Sequence, residues 1–272
     1  MSTGGLLKEF LFNKNVFTVE ELDRYLSVCA TGNLETRSSL LSYYVKNHRI
    51  VNIRRGLYAV IPPGFNPDSF PFDPFQIASK CASDSVICYH SAMELHGRAY
   101  SSFSTITFFS AVIYRSFHFR GYYFKPVHPP SKLLQNKNEN TQVISRNRNG
   151  VEINVTTLER TLVDLFDRPD LCGGWEEVWR SIESVEFFDL DAVVSYILKT
   201  ENSSTAAKVG YFLSMNKERL MVEDKHFEPL LAMRPAHPQY WDRKKRHGGK
   251  LDKEWNIIIP QSIIEKQWEE II

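Results

Sequence analysis

The stretch NLETRSSLLSYYVKNHRIVNIRRGLYAVIP, residues 33–62, joins a helix pattern to two short apolar runs. Its first part repeats apolar residues at helical spacing behind Asn33, a good N-cap residue, which predicts a helix over residues 33–48. The β-branched and apolar runs within residues 50–61 flank the turn RRG, residues 54–56, which predicts a β-hairpin. Together these elements predict the recognition helix and wing of a winged helix-turn-helix.

The predicted helix has an apolar side and a polar side. Its apolar side consists of Leu40, Leu41, Tyr44 and Val45. The opposite side carries small hydrogen-bonding side chains, which suit base edges and phosphates in a DNA groove. The candidate DNA-binding residues of helix and hairpin are Thr36, Arg37, Ser39, Ser42, Tyr43, Lys46, Arg49, Arg54 and Arg55. Arg37 falls on the buried side of the first turn, so its guanidinium must extend outward to reach DNA.

Charge is arranged in blocks along the chain. The net charge is +1, but residues 1–61 carry eight Lys and Arg against five Asp and Glu, a difference of +3. Residues 157–201 hold eleven acids and four bases, and residues 234–250 hold six bases and one acid. A basic block favours contact with a polyanion. A winged helix can also bind proteins, and a two-arginine turn is common on surfaces, so both interpretations stay open.

The rest of the N-terminal part is consistent with a small helical module. Apolar residues near the N-terminus predict a first short helix, and Thr18 with Glu21 forms a capping box that opens a second. Residues 62–74 contain five prolines, which exclude a helix or a central strand. We therefore predict a DNA-binding domain over residues 1–61, a linker over 62–74 and a C-terminal domain over 75–272.

The C-terminal part mixes helix and strand patterns, so the predicted fold class is α+β, with a larger mixed domain after the winged helix. Helices are predicted over residues 74–83, 89–96, 158–168, 175–183, 190–200 and 205–220. Strands are predicted over residues 105–109, 118–125, 141–145, 151–156 and 255–260. Residues 131–141 are predicted to be a polar loop, and Thr156 with Glu159 a second capping box.

Candidates for catalysis are weak. Arg160, Asp164 and Asp167 share a predicted outer helix face, where exposed ion pairs are the commoner explanation. His90 and His96 are six positions apart and do not share a helix face, so each is expected to be packed and hydrogen-bonded. P-loop, GxSxG, HExxH and GxGxxG patterns are missing from the sequence. We therefore expect no catalytic residue, no metal site and no cofactor.

A second basic surface is predicted near the C-terminus. It consists of Arg243, Lys244, Lys245, Arg246 and Lys250. Next to Trp241 this run can grip phosphate while the indole stacks on a base, or it can be a solvated loop.

The remaining sequence signals concern the compartment. Four cysteines without a CxxC pair indicate buried, reduced thiols. We find no apolar run near the ~20 residues of a membrane helix and no secretory signal, so a cytoplasmic protein without a membrane partner is expected.

Four segments resemble a known family when taken together: RRGLYAV (54–60), YHSAMELHG (89–97), TTLERTLVDLFDRPDLCGG (156–174) and WNIIIP (255–260). They resemble the AbiEi-type antitoxins of type IV toxin–antitoxin systems of bacteria and phages, and the resemblance covers nearly the whole chain. It implies an N-terminal winged helix-turn-helix that binds inverted repeats in its own promoter and represses the operon. It also implies a C-terminal domain that counteracts a co-encoded AbiEii-type nucleotidyltransferase toxin without requiring a stable complex.

Carried over to this sequence, the resemblance makes helix 33–48 and wing 50–61 the double-stranded DNA elements. The basic residues of the C-terminal half become the expected antitoxin or auxiliary nucleic-acid surface. Two copies are expected on one inverted repeat, since half-sites are read in pairs. Two alternatives stay open for the C-terminal domain: it modifies the toxin enzymatically, for instance by phosphorylation, or it sequesters the toxin as a direct partner.

Overall fold

The computed structural model describes residues 3–28, 34–112, 115–242 and 248–266. It is a mixed α+β structure whose chain forms two compact units, each assembled from separate segments. The first unit comprises Met1–Ile87, Ser104–Pro126 and Ser145–Asn154, and the second comprises Cys88–Phe103, Val127–Ile144 and Val155–Ile272. The predicted linker, residues 62–74, therefore belongs to the first unit. Independent folding of residues 1–61 as a DNA-binding domain stays a prediction.

The N-terminal part of the first unit contains three helices and a small sheet. Its elements are α1 (Thr3–Phe12), β1 (Val16–Thr18), α2 (Val19–Val28), α3 (Leu34–Lys46), β2 (Ile50–Arg54) and β3 (Leu57–Val60). β3 lies between β1 and β2 and is antiparallel to both. The predicted helices and hairpin are confirmed, whereas Asn33 lies outside the described residues. Strand β1 was not predicted, because three residues give no measurable alternation.

Local hydrogen bonds explain where α2 begins. Thr18 N–H donates to Glu21 Oε2 over 2.9 Å, and Glu21 N–H donates to Thr18 Oγ1 over 3.2 Å. The predicted capping box is therefore confirmed. Phe17 and Leu22 are buried in the core that α1, α2 and α3 share, so the chain enters α2 at a fixed angle.

A larger sheet runs through the first unit. Its elements are α4 (Pro74–Ser79), β4 (Val86–Ile87), β5 (Thr105–Phe109), β6 (Phe117–Phe119), β7 (Tyr122–Val127), β8 (Val143–Arg148) and β9 (Val151–Thr156). The strand order is β6-β7-β5-β4-β9-β8. The prediction of strand over residues 118–125 is wrong in one respect, because Arg120 and Gly121 have positive φ angles of 49° and 82° and form a turn between two strands. The predicted strand pair turning at residues 149–150 is confirmed.

The proline-rich segment 62–74 packs through its aromatic rings. No helix or strand forms over residues 62–73, as predicted, and Pro74 is the first residue of α4. Phe72 lies against Phe119 with ring centroids 5.6 Å apart, and Arg120 donates hydrogen bonds to the carbonyls of Pro67 and Asp68. The segment is therefore fixed to the sheet of its own unit.

The second unit is mainly helical. Its elements are α5 (Tyr89–Leu95), α6 (Ser131–Gln135), α7 (Leu158–Asp167), a 3₁₀ turn (Pro169–Leu171), α8 (Trp175–Glu183), α9 (Leu190–Thr200), α10 (Ser203–Met215), α11 (Asp224–Met233), β10 (Gln239–Tyr240), β11 (Lys250–Asp252), β12 (Ile257–Ile259) and α12 (Gln261–Ile264). α8 and α9 match the prediction. The polar loop predicted at 131–141 contains α6, and α11 was not predicted.

Helix α7 is the centre of this unit and contacts α5, α8, α9 and α10. Every residue from Arg160 to Phe166 is buried. An aromatic cluster packs beside it, made of Phe166, Trp175, Trp179, Phe212 and Trp241. α10 approaches Trp255 closely at Gly210, where an added Cβ would lie 2.2 Å from the indole ring.

The start of α7 differs from the predicted capping box by one residue. Thr157 is the N-cap, and its hydroxyl accepts from Arg160 N–H over 3.3 Å. Thr156 is buried instead, with its hydroxyl 2.7 Å from that of Thr161. Glu159 faces Asp189 N–H rather than the cap. The pattern TTLE contains two threonines that could cap the helix, and because Thr156 is buried, Thr157 is the N-cap.

None of the helices within the described ranges is both long and apolar enough to span a membrane.

Candidate nucleic-acid interface

The predicted DNA-facing side of α3 is open to solvent. Ser39, Ser42 and Lys46 are exposed, and Tyr43 keeps 61% of its surface accessible. Arg49, just beyond the helix, is exposed as well. Thr36 belongs to α3, but its side chain lies outside the described part of the chain. The helix therefore presents a polar strip with a cation at its C-terminal end.

The opposite side of α3 holds the helix in place. Leu41 is buried in a core shared with α1 and α2, and Leu40 and Tyr44 pack against it. Val45, predicted on this apolar side, is 37% exposed. Since one face is committed to packing, only the polar face is available to a partner.

Arg37 is oriented by an ion pair within the first unit. Its guanidinium contacts the carboxylate of Asp23 on α2, and 24% of the Arg37 side chain is exposed. The prediction that Arg37 lies toward the buried side is confirmed. A guanidinium that bridges α2 and α3 can position the exposed face even where it does not itself touch a ligand.

The two arginines of the hairpin differ in their surroundings. Arg55 is exposed beside Gly56, whose φ of +79° makes the turn. Arg54 is half-buried: its Nη2 donates to the carbonyl of Cys81 over 2.7 Å, and its guanidinium carbon lies 5.4 Å from the ring centroid of Phe117. The sequence does not distinguish the two arginines, because the residues that Arg54 contacts lie 27 or more positions further along the chain.

A partly buried ion pair also neutralises one acid of the module. Lys80 Nζ lies 2.5 Å from Glu21 Oε1. Burial works to raise the pKa of Glu21, but Lys80 and the Thr18 N–H outweigh it, so the pKa lies below its ordinary value. With Glu21 and Asp23 both paired, fewer acids oppose the exposed cations. Lys80 is a partner of Glu21 that local sequence patterns could not reveal.

The second predicted surface is described only in part. Lys250 is exposed in β11, whereas Arg243, Lys244, Lys245 and Arg246 lie outside the described residues. The proposed stacking role of Trp241 is wrong, because this side chain is 0% exposed and packs against Trp175 at 5.1 Å between ring centroids.

The predicted outer-face cluster of α7 is also wrong in its placement. Arg160 and Asp164 are 0% and 2% exposed, because helices pack around α7 on several sides. Arg160 Nε lies 3.4 Å from Asp164 Oδ2, and Tyr196 donates its hydroxyl to Asp164 Oδ1 over 2.8 Å. Asp167 is half-buried and accepts hydrogen bonds from Thr205 of α10 and from Asn202, the N-cap of that helix. These contacts give the cluster a structural role.

Both predicted packed histidines are hydrogen-bonded. His90 is buried with Nε2 3.0 Å from Glu177 Oε1, and its ring stacks on Phe103 at 3.8 Å. His96 Nε2 lies 2.7 Å from the Thr156 carbonyl. Burial works to raise the pKa of Glu177, but hydrogen bonds from Ser101 and His90 hold it below its ordinary value.

The cysteines give no sign of metal binding in the described part. Cys81, Cys88 and Cys172 are buried free thiols, and burial raises the pKa of Cys81 to about 12. Cys29 lies outside the described residues. Among the residues that the structure describes, no group of three or more His, Cys, Asp or Glu side chains could hold a metal ion.

Comparison with known proteins found a similarity in fold only. No protein-family model and no curated protein sequence matches it. It is similar to the crystal structure of the RV2827C protein from Mycobacterium tuberculosis, with a TM-score of 0.59 and 15% sequence identity over 94% of this chain and 89% of that one. At that identity the likeness establishes a shared α+β fold and nothing about activity.

Proposed function

We propose that this protein is a DNA-binding antitoxin of the AbiEi type, which represses its own operon and counteracts a co-encoded nucleotidyltransferase-like toxin. The observation that carries the DNA-binding part is that the polar face of α3 and Arg55 of the β2–β3 turn are both exposed to solvent. The antitoxin part rests on the sequence resemblance.

The order of elements supports a winged helix-turn-helix. Helix, strand, two helices and a two-stranded wing follow one another, and the first strand pairs with the last. α3 has 13 residues, which makes it about 20 Å long at the α-helical rise. A helix of that size enters a major groove about 12 Å wide when its outward side chains are small and polar.

The contacts divide the candidate residues by role. Ser39, Ser42 and Tyr43 are suited to base edges or phosphates, and Lys46 and Arg55 to phosphates. Arg54 instead joins the hairpin to the carbonyl of Cys81. Two copies of the protein then occupy an inverted repeat, one on each half-site.

The DNA-binding proposal is tested by fluorescence anisotropy with the chain's own promoter as a labelled duplex. If each copy neutralises about five phosphates, affinity falls on the order of several hundred-fold between 50 and 200 mM salt. The double variant Lys46→Ala/Arg55→Ala lowers the slope of log affinity against log salt by about two per copy.

Lys199→Ala is the matched control, because Lys199 is an exposed helical cation of α9. It leaves promoter binding unchanged. A salt response that is nearly flat, or a double variant that binds like the control, would show that α3 and the hairpin do not contact DNA.

The antitoxin proposal is tested separately by co-expression with the neighbouring toxin gene. The Lys46→Ala/Arg55→Ala variant still rescues growth, because antitoxin activity resides in the C-terminal part. Loss of rescue with intact promoter binding would reverse these assignments. Recovery of a stable stoichiometric complex with the toxin would favour sequestration over a mechanism without a complex.

A further inference from the structure

A cavity of about 560 Å³ lies within the first unit, between α1, the end of β3 and the proline-rich segment. Its walls are largely apolar. They include Leu11, Phe12, Val16, Tyr44, Val60, Phe70 and Phe72. A cavity of this size, lined by apolar and aromatic side chains with a few polar groups, is typical of small-molecule binding sites. Since no residue discussed for DNA binding apart from Arg49 lines it, DNA does not account for this cavity.

The charged groups of the cavity are predominantly cations. Lys8, Lys14 and Arg49 line it, together with one acid, Asp73. Asp73 is already neutralised: Arg148 Nε lies 2.5 Å from its Oδ2. Its other oxygen accepts from the first backbone N–H groups of α4, so it caps that helix.

The three cations are not neutralised in a comparable way, since Lys8, Lys14 and Arg49 form no salt bridge within the described ranges. Lys14 is half-buried, with its Nζ 5.8 Å from the ring centroid of Phe10. Its ammonium also helps to lower the pKa of Glu21, although Lys80 is the partner that contacts that carboxylate. The cavity therefore combines apolar walls with an excess of positive charge.

We propose that this cavity binds an amphipathic organic anion, a compact aromatic or aliphatic body that carries a single negative group. The apolar walls would desolvate the body, and the lysines would attract the negative group. A cation or a neutral molecule of the same size would lack the electrostatic attraction to the lysines. This inference stands without the DNA-binding proposal, because it depends only on the walls and charges of the cavity.

The test uses 8-anilinonaphthalene-1-sulfonate, an aromatic body with one sulfonate, titrated into the full chain by fluorescence and by calorimetry. We expect saturable binding of one probe per chain. Decanoate displaces the probe, whereas decyltrimethylammonium, with a similar apolar chain and the opposite charge, does not displace it at the same concentration.

Two variants locate the site. Lys8→Gln/Lys14→Gln removes two lining cations from solvent-accessible positions and weakens probe binding on the order of tenfold. Val60→Trp places an indole in the cavity and abolishes binding. Arg24→Gln is the matched control, since it removes an exposed cation that belongs to the same unit and does not line the cavity, and this variant binds the probe normally.

Circular dichroism shows whether Val60→Trp folds. If it does not fold, the double variant Lys8→Gln/Lys14→Gln still tests the proposal. Unchanged affinity in Lys8→Gln/Lys14→Gln would overturn the proposal. Non-saturating binding, or equal displacement by decanoate and decyltrimethylammonium, would overturn it as well.

Discussion

Replacement of Arg160 by methionine should destabilise the protein strongly. Methionine keeps most of the side-chain length and favours helix, so the change removes chiefly the charge and its hydrogen bonds. Arg160 is 0% exposed and pairs with Asp164. Its Nη1 also donates to the carbonyls of Glu139 and Thr141, each over 2.7 Å. The variant leaves a buried carboxylate without its counter-charge and two carbonyls without this donor.

The expected magnitude follows from the burial of the pair. Removal of one partner of a buried ion pair costs about 3–5 kcal/mol, a large part of the ~5–15 kcal/mol by which a domain is stable. For a chain of this length, that loss lowers Tm by roughly 10 °C. Replacing both partners, as in Arg160→Met/Asp164→Leu, should recover part of the loss because no unpaired charge remains.

The loss should depend on pH. Burial raises the pKa of Asp164 to about 6, although Arg160 and Tyr196 work to lower it. The folded protein therefore holds this proton more tightly than the unfolded chain does, and stability falls as pH rises from about 4 to about 6. Without Arg160 the carboxylate is still harder to ionise. The Arg160→Met variant should consequently lose more stability at pH 8 than at pH 5, and Asp164→Asn should flatten the slope between pH 4 and 6.

Thermal and urea unfolding, followed by tryptophan fluorescence, measure these effects. Arg180→Met is the matched control, because Arg180 forms the same i, i+4 type of pair with Glu176 over 3.1 Å at the surface. Such exposed pairs contribute about 0–1 kcal/mol. Equal destabilisation by Arg160→Met and Arg180→Met, or a loss that is the same at pH 5 and pH 8, would refute the reasoning.

Four further substitutions test packing and local structure, each by urea unfolding. Gly210→Ala should cost about 1–3 kcal/mol, because its Cβ would meet the Trp255 ring at 2.2 Å; a neutral effect would mean that the indole moves freely. Thr157→Ala should cost about 1 kcal/mol of stability, because Thr157 is the N-cap of α7. Glu159→Gln should change stability by less than about 0.5 kcal/mol. A larger loss in Glu159→Gln than in Thr157→Ala would support the predicted capping box of Thr156 and Glu159 instead. Arg54→Gln should lower stability by about 1–2 kcal/mol, because the hydrogen bond to the carbonyl of the buried Cys81 is lost. An unchanged midpoint of urea unfolding would mean that this hydrogen bond does not stabilise the hairpin.

Patterns confined to a few neighbouring residues predicted many elements of this protein. The capping box at Thr18 and Glu21 is formed, the hairpin turns at residues 54–56, and α8 and α9 have their predicted bounds. Helical spacing and turn chemistry depend on neighbours in sequence, which is why these elements are readable without a structure. The exposed polar side of α3 also follows from its spacing.

The sequence alone determined the α+β class, many of the helices and strands, and the polar side of α3. Tertiary structure decided what no local pattern contains: α7 is enclosed, so Arg160 and Asp164 are buried although their spacing suits a surface pair. It also decided that Arg54 binds Cys81 while Arg55 stays exposed. The physical reason is that burial and partnership depend on segments far apart in the chain, and the periodicity of a helix does not record how many neighbours pack around it.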